Sequence, residues 1–269
     1  MTSTRYVIRV QASNMRVELR INDIPVGLYA PGEAQNPAEV PVNEFLVNGR
    51  NTLMVIAHAN PLPSRVFETW LAAAEPKIAL GQLAALEVIL TPEVAGAAAP
   101  ANQPLRLSWR GSAAVTPAKD EKIFEITAGL PVWAWTRARE LSGADVQSVG
   151  YPALLRLREI LEHRDIAALE KLQTVKLEEI TAGAYGVPSA PLRAAFLKGL
   201  SACMNDPSWT LRPCGHADVD LRLVGNRRLI ECLRTDGSPA LSYVKAGSGQ
   251  TFFLPTMLGF VDGSWQILR

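Results

Sequence analysis

PVNEFLVNGRNTLMVIA, residues 41–57, decides how the amino-terminal half of this chain is read. Asn48-Gly49 supplies residue types that tolerate positive φ in a tight turn, and Leu53-Met54-Val55-Ile56 follows as a short apolar run. The stretch is therefore predicted as a hairpin-type turn leading into a buried strand. Working outward, Val17-Glu18-Leu19-Arg20-Ile21 alternates apolar and polar side chains, and Asn22-Asp23 and Pro25 interrupt it before Val26-Gly27-Leu28-Tyr29. Residues 6–10 alternate in the same way, and a turn at Ser13-Asn14 predicts an opening hairpin with 16–21. Polar loops are expected at 30–38 and 60–63, and a short helix or irregular edge at 67–71. Strand signals resume at 83–90 (LAALEVIL), 105–110 and 123–126, with the small-residue and proline loop TPEVAGAAAPANQP at 91–104 between the first two. Together these segments predict an antiparallel all-β sandwich.

Length and composition bound the rest. A chain of 269 residues exceeds the usual size of one hydrophobic core, which predicts two domains. Lys and Arg total 27 against 26 Asp and Glu, a net charge of +1, so no strong field draws phosphate backbones or anionic lipid heads. Nucleic acid and membrane are accordingly not expected as partners. The short basic clusters Arg137-Ala138-Arg139 and Arg227-Arg228 read as solvated surface. Arg5 and Arg9 interrupt the opening stretch, which has no secretory pattern, and Gly96 and Pro100 break the alanine-rich 94–101 segment, so a cytoplasmic location is expected. Cys203, Cys214 and Cys232 are odd in number without CxxC spacing, as in a reducing compartment.

After the aromatic segment GLPVWAW (129–135), residues 143–152, GADVQSVGYP, read as a linker, because composition then shifts to helix formers. Leu154, Leu155, Leu157, Ile160 and Leu161 recur at helical spacing, with Arg156, Arg158, Glu159 and Glu162 opposite. Asp165 is placed to cap a second helix from Ile166 toward Ile180, closed by Gly183. A third helix is expected from Ser189 to about Met204, with Pro191 in its first turn. Strands are then predicted at 209–212, 217–224, 229–235, 240–245, 251–260 and 265–268, joined by turn residues such as Gly225-Asn226, Asp236-Gly237 and Asp262-Gly263. The predicted layout is a β-sandwich at 1–142, a linker at 143–152 and, at 153–269, an α+β domain with helices packed on a curved antiparallel sheet.

NEFLVNGRNTLMV (43–55) resembles the turn and strand at which galactose-binding-domain-like β-sandwiches carry a Gly-x-Asn-x-Leu pattern, here Gly49-Arg50-Asn51-Thr52-Leu53. Helices followed by a bent sheet ending in VDGSWQIL (261–268) resemble the cone of the nuclear-transport-factor-2-like superfamily, the cystatin-like α+β architecture. Both superfamilies host enzymes, binding modules and structural domains, so neither resemblance implies one activity.

Isomerase- or dehydratase-type members of the cone-shaped superfamily place an Asp or His in an apolar pocket, and the candidates here are Asp206, His216, Asp218, Asp220 and Tyr243. A carboxylate or imidazole would act as base and the phenol as donor to a developing enolate. Val219, Leu221 and Leu223 alternate with Asp218 and Asp220, which leaves those aspartates outside the core. Cys214-Gly215-His216 could be a metal half-site or a thiol with its base, or a turn after Pro213 holding a half-buried Cys, and the turn is expected. A carbohydrate module would need exposed aromatics and amides such as Asn36, Asn60, Trp70 and Trp109. Trp133 and Trp135 could stack on a sugar, but large aromatics usually anchor cores and interfaces, so their burial is expected. No catalytic residue, metal site or cofactor is predicted. The expectation is a non-catalytic binding or adaptor protein with a protein partner, suited to a bacterial accessory or immunity role. Carbohydrate binding through the sandwich stands as one alternative, and a small-molecule-binding or isomerase-type enzyme using the pocket of the cone as the other.

Overall fold

A computed structural model describes residues 4–13, 16–29, 38–58, 83–94, 105–112, 118–127, 129–182 and 189–269. Their backbone divides into two compact units, one made of the described residues up to Val132 and the other of those from Trp133 to Arg269. The architecture is mixed, with helices and four antiparallel sheets, none of them closed.

In the first unit the strands are β1 (Thr4–Ser13), β2 (Arg16–Ile21), β3 (Ile24–Tyr29), β4 (Ala38–Pro41), β5 (Gly49–His58), β6 (Leu83–Val94), β7 (Leu105–Ser112) and β8 (Ala118–Ile126). They form two four-stranded sheets, in the orders β4-β1-β6-β7 and β3-β2-β5-β8. The expected opening hairpin is overturned. β1 pairs with β4 and β6, and β2 with β3 and β5, because alternation marks a strand without naming its neighbour. The turn between β1 and β2 lies partly outside the described residues, as do loop 30–38 except its last residue, the features expected at 60–63 and 67–71, and most of 91–104. Thr91 to Val94, read as loop, continues β6.

A tight hairpin does occur nearby, at Asn22-Asp23, where φ is +50° and +62° and β2 turns into β3. Pro25, which has no N–H to give a ladder, sits on edge strand β3 beside a register shift opposite Leu19 and Arg20. Asn48-Gly49 makes no hairpin. A short 3-10 turn at Asn43–Phe45 precedes it, and Gly49, at φ +88°, begins β5.

Buried amides hold that connection. Asn51 Oδ1 accepts from Val47 N–H at 2.8 Å and from Asn22 Nδ2 at 2.9 Å, while Asn51 Nδ2 donates to the carbonyls of Val47 and Gly49. Asn22 donates to Phe45 O and accepts from Thr52 N–H, and Asn43 Oδ1 accepts from Tyr6 N–H. Loop backbone that joins no ladder still needs partners once buried, and these side chains provide them. Around them Val17, Leu19 and Ile21 are buried in the alternation expected from sequence, and Leu53 and Val55 are buried while Met54 and Ile56 of the same apolar run are only half-buried.

In the second unit the stretch read as a linker is helical. Ser142 and Asp145 form a capping box over a turn at Gly143–Asp145, a π-helical turn at Val146–Gly150 follows, and α1 (Tyr151–Glu162) continues from it. Leu141 and Val146 belong to the unit's hydrophobic cluster. A Cβ on Gly150 would stand 2.3 Å from Ile230 Cδ1, so any larger residue in the turn would push that side chain aside. Helix α1 buries Leu154, Leu157 and Leu161, each contributing about 2 kcal/mol by burial.

Helix α1 ends in a Schellman turn, with Arg164 at φ +57°, Asp165 N–H donating to Ile160 O and Arg164 N–H to Leu161 O. Asp165 then caps α2 (Ile166–Ala182) through Ala168 N–H at 2.9 Å, as expected. Helix α3 (Ser189–Asn205) follows. The last strands are β9 (Trp209–Leu211), β10 (Val219–Val224), β11 (Leu229–Arg234), β12 (Leu241–Lys245), β13 (Thr251–Leu254), β14 (Met257–Val261) and β15 (Ser264–Ile267).

These strands make two sheets where one was expected, β10-β11-β14-β15 and β13-β12-β9. The predicted strand 251–260 divides at Pro255-Thr256, since Pro cannot donate to a ladder, and its halves join different sheets. A bridge between Leu233 and Pro239 and the bonds Ala240 N–H to Cys232 O and Cys232 N–H to Thr256 O connect the two.

Candidate functional site

The five residues considered for a catalytic pocket are not gathered into one site. Asp206 follows α3, and its Oδ1 accepts from Ser208 N–H at 2.9 Å. Hydrogen bonds from Ser208, aided by Lys245, hold this carboxyl below the usual range. His216 and Asp218 share one 3-10 turn. The His216 ring is exposed and packs on Tyr151 at 4.6 Å, while Asp218 Oδ2 accepts from Gly215 N–H at 2.8 Å and closes the turn. Asp220 pairs with Arg222 on its own strand, Nε to Oδ2 at 2.8 Å.

Tyr243 lies in the other sheet, buried, with its hydroxyl donating to Leu161 O at 2.9 Å. Burial pushes this phenol up to about 12. Asp206, Asp218, Asp220 and Tyr243 are each engaged in holding backbone or a neighbouring charge, and His216 in a ring contact.

Cys214 and His216 do not form a pair. Cys214 is fully buried rather than half-buried, and burial pushes its thiol up, away from the thiolate a nucleophile or metal ligand needs. Cys203 and Cys232 are likewise buried free thiols raised chiefly by burial. Among the described residues no three His, Cys, Asp or Glu side chains come together as a metal could use.

Trp133 and Trp135 are buried, as expected of large aromatics. The guanidinium of Arg269 lies 5.8 Å from the Trp133 ring centroid and donates to Glu179 Oε2 at 2.7 Å, and Glu179 Oε1 accepts from Ala134 N–H. A stacking platform for sugar needs open ring faces, which these two rings lack. Asn36, Asn60 and Trp70 lie outside the described residues, and Trp109 is placed on β7 opposite Leu86 only by its backbone.

What the structure brings together is the two arginine clusters read as separate solvated surface. Leu141 N–H donates to Arg227 O at 2.8 Å, Arg227 Nε donates to Leu141 O at 3.0 Å, and Arg228 Nη1 donates to Ala138 O. Arg139 N–H donates to Phe260 O at 2.9 Å, strapping residues 138–141 against the turn after β10 and against β14. The Arg139 guanidinium lies 5.1 Å from the Phe260 ring centroid, and Phe260 meets Trp265 edge to face at 5.5 Å.

Arg137, Arg139 and Arg227 are exposed, and Phe260 and Trp265 half-exposed. Asp262 stands 3.8 Å from Arg137, and Asp145 3.2 Å from Arg139. No spacing rule joins residues 86 positions apart, so the convergence was beyond the sequence, although each arginine pair was visible in it. Among the described residues no helix is long and apolar enough to cross a membrane. Comparison with family models, with characterised proteins and with solved structures finds no match to this chain.

Proposed function

We propose that this chain is a non-catalytic binding or adaptor protein whose partner is another protein, in keeping with a bacterial accessory or immunity role in the cytoplasm. The observation that carries the reading is the half-exposed Phe260 and Trp265 pair with the Arg139 guanidinium over Phe260, since aromatic and Arg side chains dominate protein-binding hot spots. The structural duties of Asp206, Asp218, Asp220 and Tyr243 favour binding over turnover. The proposed framework is a galactose-binding-like β-sandwich followed by a nuclear-transport-factor-2-like cone, with Asn51 of the Gly-x-Asn-x-Leu pattern as the clasp of the first and the Pro255-Thr256 break as the bend of the second.

Tagged full-length protein is incubated with extract of its native cells, and what it retains is identified by mass spectrometry. A stoichiometric protein partner is expected. Retention of nothing above the tag control overturns the reading.

A further inference from the structure

Independently of that reading, we infer that strand β10 is the contact through which two copies of this chain associate, pairing antiparallel and edge to edge about a twofold axis at Leu221. β10 ends its sheet, and among the described residues no strand pairs with its outer side. Bonded pairs alternate along an antiparallel ladder, so the bonds of β11 show which groups of β10 point outward. Cys232 N–H donates to Thr256 O, Cys232 O accepts from Ala240 N–H, and Arg234 N–H donates to Ser238 O, so both residues turn away from β10. Thr235 N–H, the next position, reaches Asp218 O at 3.0 Å. Leu221 and Val219, which stand opposite Cys232 and Arg234, therefore direct N–H and C=O to the open edge, and Leu223 follows by the same alternation.

The side chains leave this edge open to pairing and select a second copy as its occupant. Edge strand β3 carries Pro25 and a register shift, and β8 sets Lys122 and Asp120 on the face where Leu53 and Val55 are buried, features that discourage edge pairing. β10 has no proline, lysine or register shift, and Val219, Leu221 and Leu223 are half-exposed at the border of the hydrophobic cluster. Outward-directed residues must meet outward-directed residues, so a twofold axis falls on Asp220, Leu221 or Arg222. An axis at Asp220 or Arg222 opposes like charges. At Leu221 it sets Asp220 of each copy opposite Arg222 of the other and Val219 opposite Leu223, and every outward N–H meets a carbonyl. Within each chain Asp220 and Arg222 already pair at 2.8 Å, so the four groups close a ring of alternating charge.

Sedimentation equilibrium of the full chain tests the contact. One strand pair is small for an interface, so a dimer with a dissociation constant of about 10–100 µM is expected. Asp220→Arg and Arg222→Asp, each alone, oppose like charges across the axis and should weaken the dimer at least about tenfold. An equimolar mixture of the two variants sets two arginines opposite two aspartates and should recover it. Misfolded chains would not recover on mixing, and circular dichroism of each variant checks the fold separately. A wild-type chain still monomeric at about 1 mM, a dimer that both variants retain, or a mixture that associates no better than either variant alone overturns the contact.

Discussion

Among the described residues of the amino-terminal unit the buried polar side chains are amides that hold a loop, whereas in the carboxy-terminal unit a phenol holds the end of a helix. Asn51 alone meets the Val47 N–H, the carbonyls of Val47 and Gly49, and the Asn22 amide. Tyr243 makes one bond, to a Leu161 carbonyl that also accepts from Arg164 N–H. The difference follows from what each backbone leaves unmet. Residues 46–48 lie between a 3-10 turn and a strand, with no ladder or helix of their own, so side chains substitute for backbone partners. Helix α1 closes itself through its Schellman turn, and the phenol only adds to a cap already made.

The sharpest way to break this comparison is Asn51→Ala. It strands several buried groups at once, and a loss of about 3 kcal/mol is expected by urea unfolding of the full chain. A loss under about 1 kcal/mol would mean that water replaces the clasp without cost.

Tyr243→Phe should cost less, about 1 kcal/mol, because one hydrogen bond is lost and Leu161 O keeps another donor. Its pH signature is the more specific reading. The folded phenol is raised to about 12 from an ordinary 10.0, so the folded state holds this proton more tightly than the unfolded chain. The associated stability is fully present below pH 10 and is lost as pH rises toward 12, a loss the Phe variant should lack. Parallel alkaline decline in both proteins would remove Tyr243 from the helix latch.

The smallest effect, with opposite sign, belongs to Arg164→Gly. Arg164 is exposed and left-handed at φ +57° in the position where helices favour glycine, so the substitution should stabilise by about 0.5 kcal/mol in thermal unfolding. Destabilisation would show that the arginine side chain contributes more to the cap than its backbone costs.

Much of the second unit was legible because helix signals are local. The spacing of Leu154, Leu157 and Leu161 and the Asp165 cap both lie within a few residues of what they specify. Its beginning was misread, although Ser142-Gly143-Ala144-Asp145 carries the spacing of a capping box, because Gly and polar residues there resemble a connection. Strand locations in the first unit were visible in the alternation of β2 and the apolar run of β5, while pairing was not, since any two amphipathic strands satisfy the same pattern. The pocket candidates stand out in the sequence by residue type alone. Nothing in the type of Tyr243 or Asp218 says that its hydrogen bond goes to a nearby backbone group.

The strap formed by residues 138–141 also bears on the order in which the molecule is assembled. Its bonds to Arg227 and Arg228 close loops of 86 and 90 residues, and the entropy of such closures is recovered only when the intervening chain already has its shape. Helices α1 to α3 and the β10–β11 hairpin can form from neighbours in sequence, whereas the strap needs residues 86 and 90 positions apart to be brought together. A nascent or partly unfolded chain therefore lacks this strap, and with it the placing of Arg139 over the Phe260 ring.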